Sequence, residues 1–136
     1  MKKILFICNE NAGRSQMAEA LANSYGRGFL HSHSGGSTPA ARINHVVVQA
    51  MKEKGIDISQ NEPKSFELFD LNEFDIIITL CAEGVCPVVI GKEERNWNIE
   101  DPKGREIEKV RLIRDGIEKK VLELVDEIKE KKKSQF

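Results

Sequence analysis

Ile4-Leu5-Phe6-Ile7 runs directly into Cys8-Asn9-Glu10-Asn11-Ala12-Gly13-Arg14-Ser15, after which Met17, Leu21 and Tyr25 recur at helical spacing. A short continuous apolar run suits a strand buried on both faces of a parallel sheet. The segment therefore reads as strand, loop and helix, with a cysteine closing the strand and an arginine opening the helix. Phe74-Asp75-Ile76-Ile77-Ile78-Thr79-Leu80 reads as a second central strand, and Cys81 follows it directly. Between the two, Phe29 to Ser34 predicts a joining strand, and Ile43, Val46, Val47, Ala50, Met51 and Lys54 predict a helix that stops at Gly55. Val46-Val47-Val48 is β-branched and locally favours a strand, but the helical recurrence around it is longer and outweighs it.

Downstream lie a short strand around Arg95 to Asn98, the turn Asp101-Pro102-Lys103-Gly104, and a long terminal helix. The apolar stripe of that helix is Ile107, Val110, Ile113, Ile117, Val121, Leu124 and Ile128, which reads as a core-facing surface. Strands alternating with helices imply βαβ units. The fold class is therefore α/β, one three-layer domain over residues 1–136 whose small parallel sheet is covered on both faces. Ligands of such sheets lie beyond the carboxyl ends of the strands. Cys8 and Cys81 both fall there.

Composition narrows the function. The 136 residues carry 21 basic and 22 acidic side chains, a formal net charge of -1, without the cationic excess of a nucleic-acid binder. Hydrophobic residues reach 40%, enough for a core, yet no run approaches the roughly 18 apolar residues of a membrane span. After Met1-Lys2-Lys3 the apolar run is too short for a signal-peptide core, so a cytoplasmic location is expected. Three cysteines cannot form a fully paired disulfide framework. Cys81 and Cys86 have no matched second pair of ligands among His31, His33 and His45, so neither a metal nor another cofactor is expected. There is no internal repeat, and the lysine-rich stretch from Lys129 to Phe136 reads as a solvated helix end.

The loop carries the chemistry. A loop closing onto a helix N-terminus aims backbone N–H groups at one point, and the helix dipole adds positive charge there. Asn9, Glu10, Asn11, Ala12, Gly13, Arg14 and Ser15 would thus line an oxyanion cradle. The same field favours a thiolate at Cys8 and makes it a candidate nucleophile. The Arg14 fork can grip two oxygens of an oxyanion, and Ser15 can donate to the thiolate. Asn11 is expected to hold the loop's shape, and Gly13 to tolerate a positive φ. The plainer reading is a buried thiol at a strand end with an arginine paired to an acidic neighbour. Asp101-Pro102 likewise either begins a turn or brings a general acid over the loop. Cys81 and Cys86 are either buried thiols or redox partners of Cys8.

Taken together, these segments resemble the low-molecular-weight protein tyrosine phosphatase superfamily, and more closely its thioredoxin-coupled arsenate reductase branch. The resemblance rests on Ile4 to Cys8 with Asn11 and Arg14 to Ala20, Ser34-Gly35-Gly36, Ala50 to Ser59, Thr79-Leu80-Cys81 with Cys86-Pro87, and Trp97 with Asp101-Pro102. It implies a four-stranded parallel sheet flanked by helices, with Cys8 as nucleophile, Arg14 as oxyanion clamp and Asp101 as general acid. For the reductase branch it further implies a relay. Cys8 forms a covalent adduct with arsenate, Cys81 attacks Cys8, and Cys86 attacks Cys81, leaving a disulfide for a thioredoxin-like donor to reduce.

Three positions depart from the family pattern. Four residues separate Cys81 from Cys86, a shorter loop than usual. Glu10 stands where the family generally has glycine, and its carboxylate would repel an oxyanion unless turned outward. Gly13 replaces a cysteine, which should relax the loop. The phosphatases of the family place aromatic residues after the Asp-Pro pair, whereas Lys103 and Gly104 follow here. Tyr25, the only tyrosine, is expected to pack on the first helix. The expected partners are an arsenate-like or phosphate-like oxyanion and a dithiol reductant, acting on a monomer. The alternatives are phosphomonoester hydrolysis through Cys8, Arg14 and Asp101, and a non-catalytic oxyanion sensor.

Overall fold

The structure, a computed structural model, describes residues 1–81 and 93–133. Its elements run β1 (Lys2–Cys8), α1 (Arg14–Tyr25), β2 (Leu30–Gly36), α2 (His45–Lys52), β3 (Ile76–Thr79), β4 (Glu93–Asn96) and α3 (Ile107–Lys133). Two short 3-10 turns, Phe66–Leu68 and Leu71–Glu73, precede β3. The sheet order is β2-β1-β3-β4 and every pairing is parallel. β1 is therefore central, and the chain leaves it toward β2 on one side while β3 lies on the other. That reversal between β1 and β3 creates a crevice at their carboxyl ends.

Alternation along the strands divides the core. Ile4, Phe6, Ile76 and Ile78 face a large cluster built with α1, α2 and α3, including Met17, Leu21, Val47, Met51, Val110, Ile117, Val121 and Leu124. Leu5, Ile7, Phe74 and Ile77 face the other side, where Phe66, Phe69 and Leu71 cover them. Burial on both faces is why β1 and β3 lack the polar alternation of a half-exposed strand. Each large apolar side chain so buried contributes on the order of 1.5–3 kcal/mol.

Several boundaries differ from those expected. β2 continues to Gly36, since Gly35 and Gly36 complete the ladder with Ile7 and Cys8. β4 lies two residues before the predicted span. α2 begins at His45 because the Asn44 side chain accepts from the backbone N–H groups of Val46 and Val47, capping the helix and leaving Ile43 outside it. The valine run is helical, as expected. Tyr25 does not pack into the core: it is 38% exposed, and its hydroxyl donates to Glu118 at 2.6 Å.

A charged clamp ties α2 to α3. The Glu53 carboxylate receives Arg111 Nη2 and Arg114 Nη1, each at 2.7 Å, and Arg114 also donates to the Ala50 carbonyl at 2.9 Å. Hydrogen bonds from Arg111 and then Arg114 pull the Glu53 pKa from 4.5 to about 2.

Candidate active site at the carboxyl ends of β1 and β3

The loop after β1 is shaped from outside by the segment that follows β2. Ser37 N–H donates to the Cys8 carbonyl at 3.2 Å, Thr38 to Asn9 at 2.8 Å, Ala40 to Glu10 at 3.0 Å, and Asn44 to Ala12 at 2.9 Å. In a trans peptide the C=O and the next N–H point in opposite directions. Fixing those four carbonyls outward therefore turns the N–H groups of Asn9, Glu10, Asn11 and Gly13 inward. The Asn11 N–H indeed points to Cys8 Sγ at 3.3 Å. Residues 37–44 thus make the cradle that the sequence attributes to the loop alone.

Around the sulfur the polar groups interlock. Cys8 is buried and free, and its Sγ lies 2.9 Å from Ser15 Oγ. Asn11 Nδ2 donates to Ser15 Oγ at 2.7 Å and to Ser34 Oγ at 3.0 Å, while Asn11 Oδ1 accepts from Gln16 Nε2 and from the Lys64 backbone N–H, each at 3.0 Å. Ser34 in turn donates to the Glu19 carboxylate. Asn11 holds the loop as expected, but at a φ of +54°, whereas Gly13 has φ -145°. Gly13 thus does not use the positive φ that it would tolerate. Its value lies in size, since a Cβ there would stand 2.8 Å from Pro102 Cγ. The missing side chain lets the Asp-Pro turn close over the loop.

Arg14 is only 3% exposed; its Nη1 donates to the Ile99 carbonyl at 3.0 Å and its Nη2 lies 3.7 Å from Asp101 Oδ2. The other carboxylate oxygen, Oδ1, accepts from the Lys103 N–H at 3.0 Å, which fixes the turn. Asp101 and Arg14 therefore meet beside Cys8, lining one cavity of about 480 Å³ with Glu10, Ala12, Gly13, Arg42, His45, Pro102 and Lys103. Among the described residues no phenylalanine, tyrosine or tryptophan lines it. Glu10 is turned onto Lys103 Nζ at 2.8 Å.

Cys81 lies just past β3, next to the cradle: its Sγ is 3.5 Å from Asn9 Oδ1, and it is disulfide-bonded. Cys86 and the rest of the 82–92 loop lie outside the described residues. The structure thus brings together Cys8, Asn9, Glu10, Asn11, Ala12, Gly13, Arg14, Ser15, Asp101 and Cys81. The sequence reading missed the roles of Ser34, Gly36, Gln16, Glu19 and the Lys64 backbone. Ser34 and Gly36 were visible only as part of a family pattern. Nothing in the sequence marks the Lys64 backbone N–H as a partner of Asn11.

Comparison with known proteins agrees with this architecture. A model of the family described as low molecular weight phosphotyrosine protein phosphatase matches residues 3–134. The chain is 35% identical over 131 residues to the glutaredoxin arsenate reductase of Synechocystis sp., covering 94% of this chain and 99% of that protein. It is 40% identical over 119 residues to an arsenate reductase of Brevibacillus brevis, covering 85% and 88%. The solved structure of an arsenate reductase in the phosphate binding state superposes with a TM-score of 0.83 at 34% identity, covering 94% of this chain and 99% of that one.

Proposed function

The chain belongs to the low molecular weight phosphotyrosine protein phosphatase family, and from that premise and the geometry of its site we propose that it is an arsenate reductase. The observation that carries the proposal is a second sulfur, Cys81, beside a cradle that already holds the nucleophile Cys8, the clamp Arg14 and the acid Asp101. The arsenate reductases of Synechocystis sp. and Brevibacillus brevis support it. A hydrolase needs only Cys8, Arg14 and Asp101.

Arsenate enters the cradle, where inward N–H groups and Arg14 spread its charge. The Cys8 thiolate attacks arsenic; one arsenate oxygen, protonated by Asp101, leaves as water. Cys81 thiolate then attacks Cys8 sulfur. An S–S bond forms, the S–As bond breaks, and its electron pair stays on arsenic, which departs as arsenite. Cys86 attacks Cys81, forming the Cys81–Cys86 disulfide and returning Cys8 as thiolate. An external dithiol protein of the thioredoxin or glutaredoxin type reduces that disulfide by exchange. With a donor of that type the proposed setting is a reducing compartment, the cytosol.

Phosphomonoester hydrolysis is the second reading, favoured by the complete Cys8, Arg14 and Asp101 set. Cys86→Ser separates the two. A reductase given excess dithiol donor should make about one equivalent of arsenite and stop. Sustained arsenite production by this variant would refute the relay, and turnover of an aryl phosphate without any arsenite from the wild type would establish the hydrolase.

A further inference from the structure

Glu10, on the cradle, and Lys103, in the Asp101-Pro102 turn, are bonded to each other. Lys103 Nζ lies 2.8 Å from Glu10 Oε1 and 3.5 Å from Oε2. One residue belongs to the cradle and the other to the turn that carries Asp101, and both line the same cavity. The side chains are 35% and 70% exposed. An ion pair this open to water adds little to stability. Its consequence is for the field inside the cavity. An isolated carboxylate on the cradle repels an incoming oxyanion, whereas a carboxylate with an ammonium against it acts as a dipole, whose field falls away faster with distance. Glu10 holds the Lys103 ammonium above its ordinary range, and Asp101 adds to this.

Resting on the oxyanion-capture reading above, we infer that Lys103 is a positioning residue for substrate that acts through Glu10, cancelling a carboxylate that would otherwise oppose arsenate at the cradle. The reaction keeps its own groups, Cys8, Arg14 and Asp101; the pair governs how readily the anion reaches them.

A double-mutant cycle tests this. Lys103→Ala exposes the Glu10 charge and should raise KM for arsenate about three- to tenfold, with a much smaller change in kcat. The concentration of inorganic arsenate that protects Cys8 from iodoacetamide should rise by the same factor. Glu10→Gln combined with Lys103→Ala leaves no uncompensated charge and should return both quantities toward wild type. At about 0.5 M salt the defect of the single variant should shrink. The inference is overturned if Lys103→Ala binds arsenate as wild type does, or if the double variant is as impaired as the single one. Arsenite formation by the wild type is the separate control for the function itself. Were it absent while arsenate still protected Cys8, the reductase reading would fall and the protection cycle would still decide the role of Lys103.

Discussion

Asn11 turns its Oδ1 toward two N–H donors, one of them the Lys64 backbone, so its Nδ2 faces only oxygens. Ser15 Oγ therefore accepts from Asn11, and its own proton is left for the sulfur of Cys8 2.9 Å away. On the proposed mechanism a hydroxyl held in that direction can donate to the sulfur both before attack and when Cys8 leaves. Ser15→Ala should slow Cys8 alkylation at neutral pH and lower kcat for arsenate by about ten- to a hundredfold, with the fold intact by circular dichroism. Equal alkylation rates would show that the N–H groups suffice. Ser15 was legible because its place in Cys-x5-Arg-Ser is covalently fixed. The direction of its proton was not, because it is set by Lys64, 53 residues from Asn11. The same limit explains Gly13: its neighbour across space, Pro102, cannot be seen in the local sequence.

At the scale of elements, the cradle is a loop held by a second loop, and Gly36 is where they meet. A Cβ at Gly36 would stand 2.7 Å from the Asn9 carbonyl oxygen and 3.0 Å from the Asn11 nitrogen, both backbone atoms of the cradle. Gly36→Ala must displace that backbone, and kcat/KM should fall by about a hundredfold, the cost of a misplacement on the order of 1 Å. An alanine variant with wild-type kinetics would mean that the cradle yields without loss. The α2–α3 clamp gives a different prediction. The folded pKa of Glu53, about 2, lies below its ordinary 4.5, so its stabilisation is present above pH ~4.5 and is lost as the pH falls toward ~2. Glu53→Gln should lower Tm at neutral pH, and the gap from wild type should close across that acid window; a gap that is constant with pH would assign the effect to packing alone. Helices and strands were readable from the apolar run Ile4–Ile7, the helical recurrence around the valine run and the stripe on α3, because such patterns are local. The Asn44 cap and the two 3-10 turns were not anticipated, because segments this short carry no period.

For the molecule as a whole, the decisive fact is that β1 and β3 are neighbours in the sheet although their registered residues Ile7 and Thr79 are far apart in sequence. Parallel pairing puts both carboxyl ends on one edge, so each strand delivers a cysteine to the same crevice. Crossover rules made that placement readable once two buried strands each ended near a cysteine. On the proposed mechanism the arrangement divides the reaction: the β1 side, with α1 and the Asp101 turn, would bind and activate the oxyanion, while the β3 side would supply the sulfur that is oxidised as arsenic is reduced. Cys81→Ser should therefore split binding from reduction. Arsenate should still protect Cys8 from iodoacetamide at the wild-type concentration, since the cradle is untouched. Arsenite formation with excess dithiol donor should fall by about 10³-fold or more, because the nucleophile that releases arsenic is gone. Arsenite at the wild-type rate would show that an external thiol attacks Cys8 directly, and the sheet edge would then have one working sulfur instead of two.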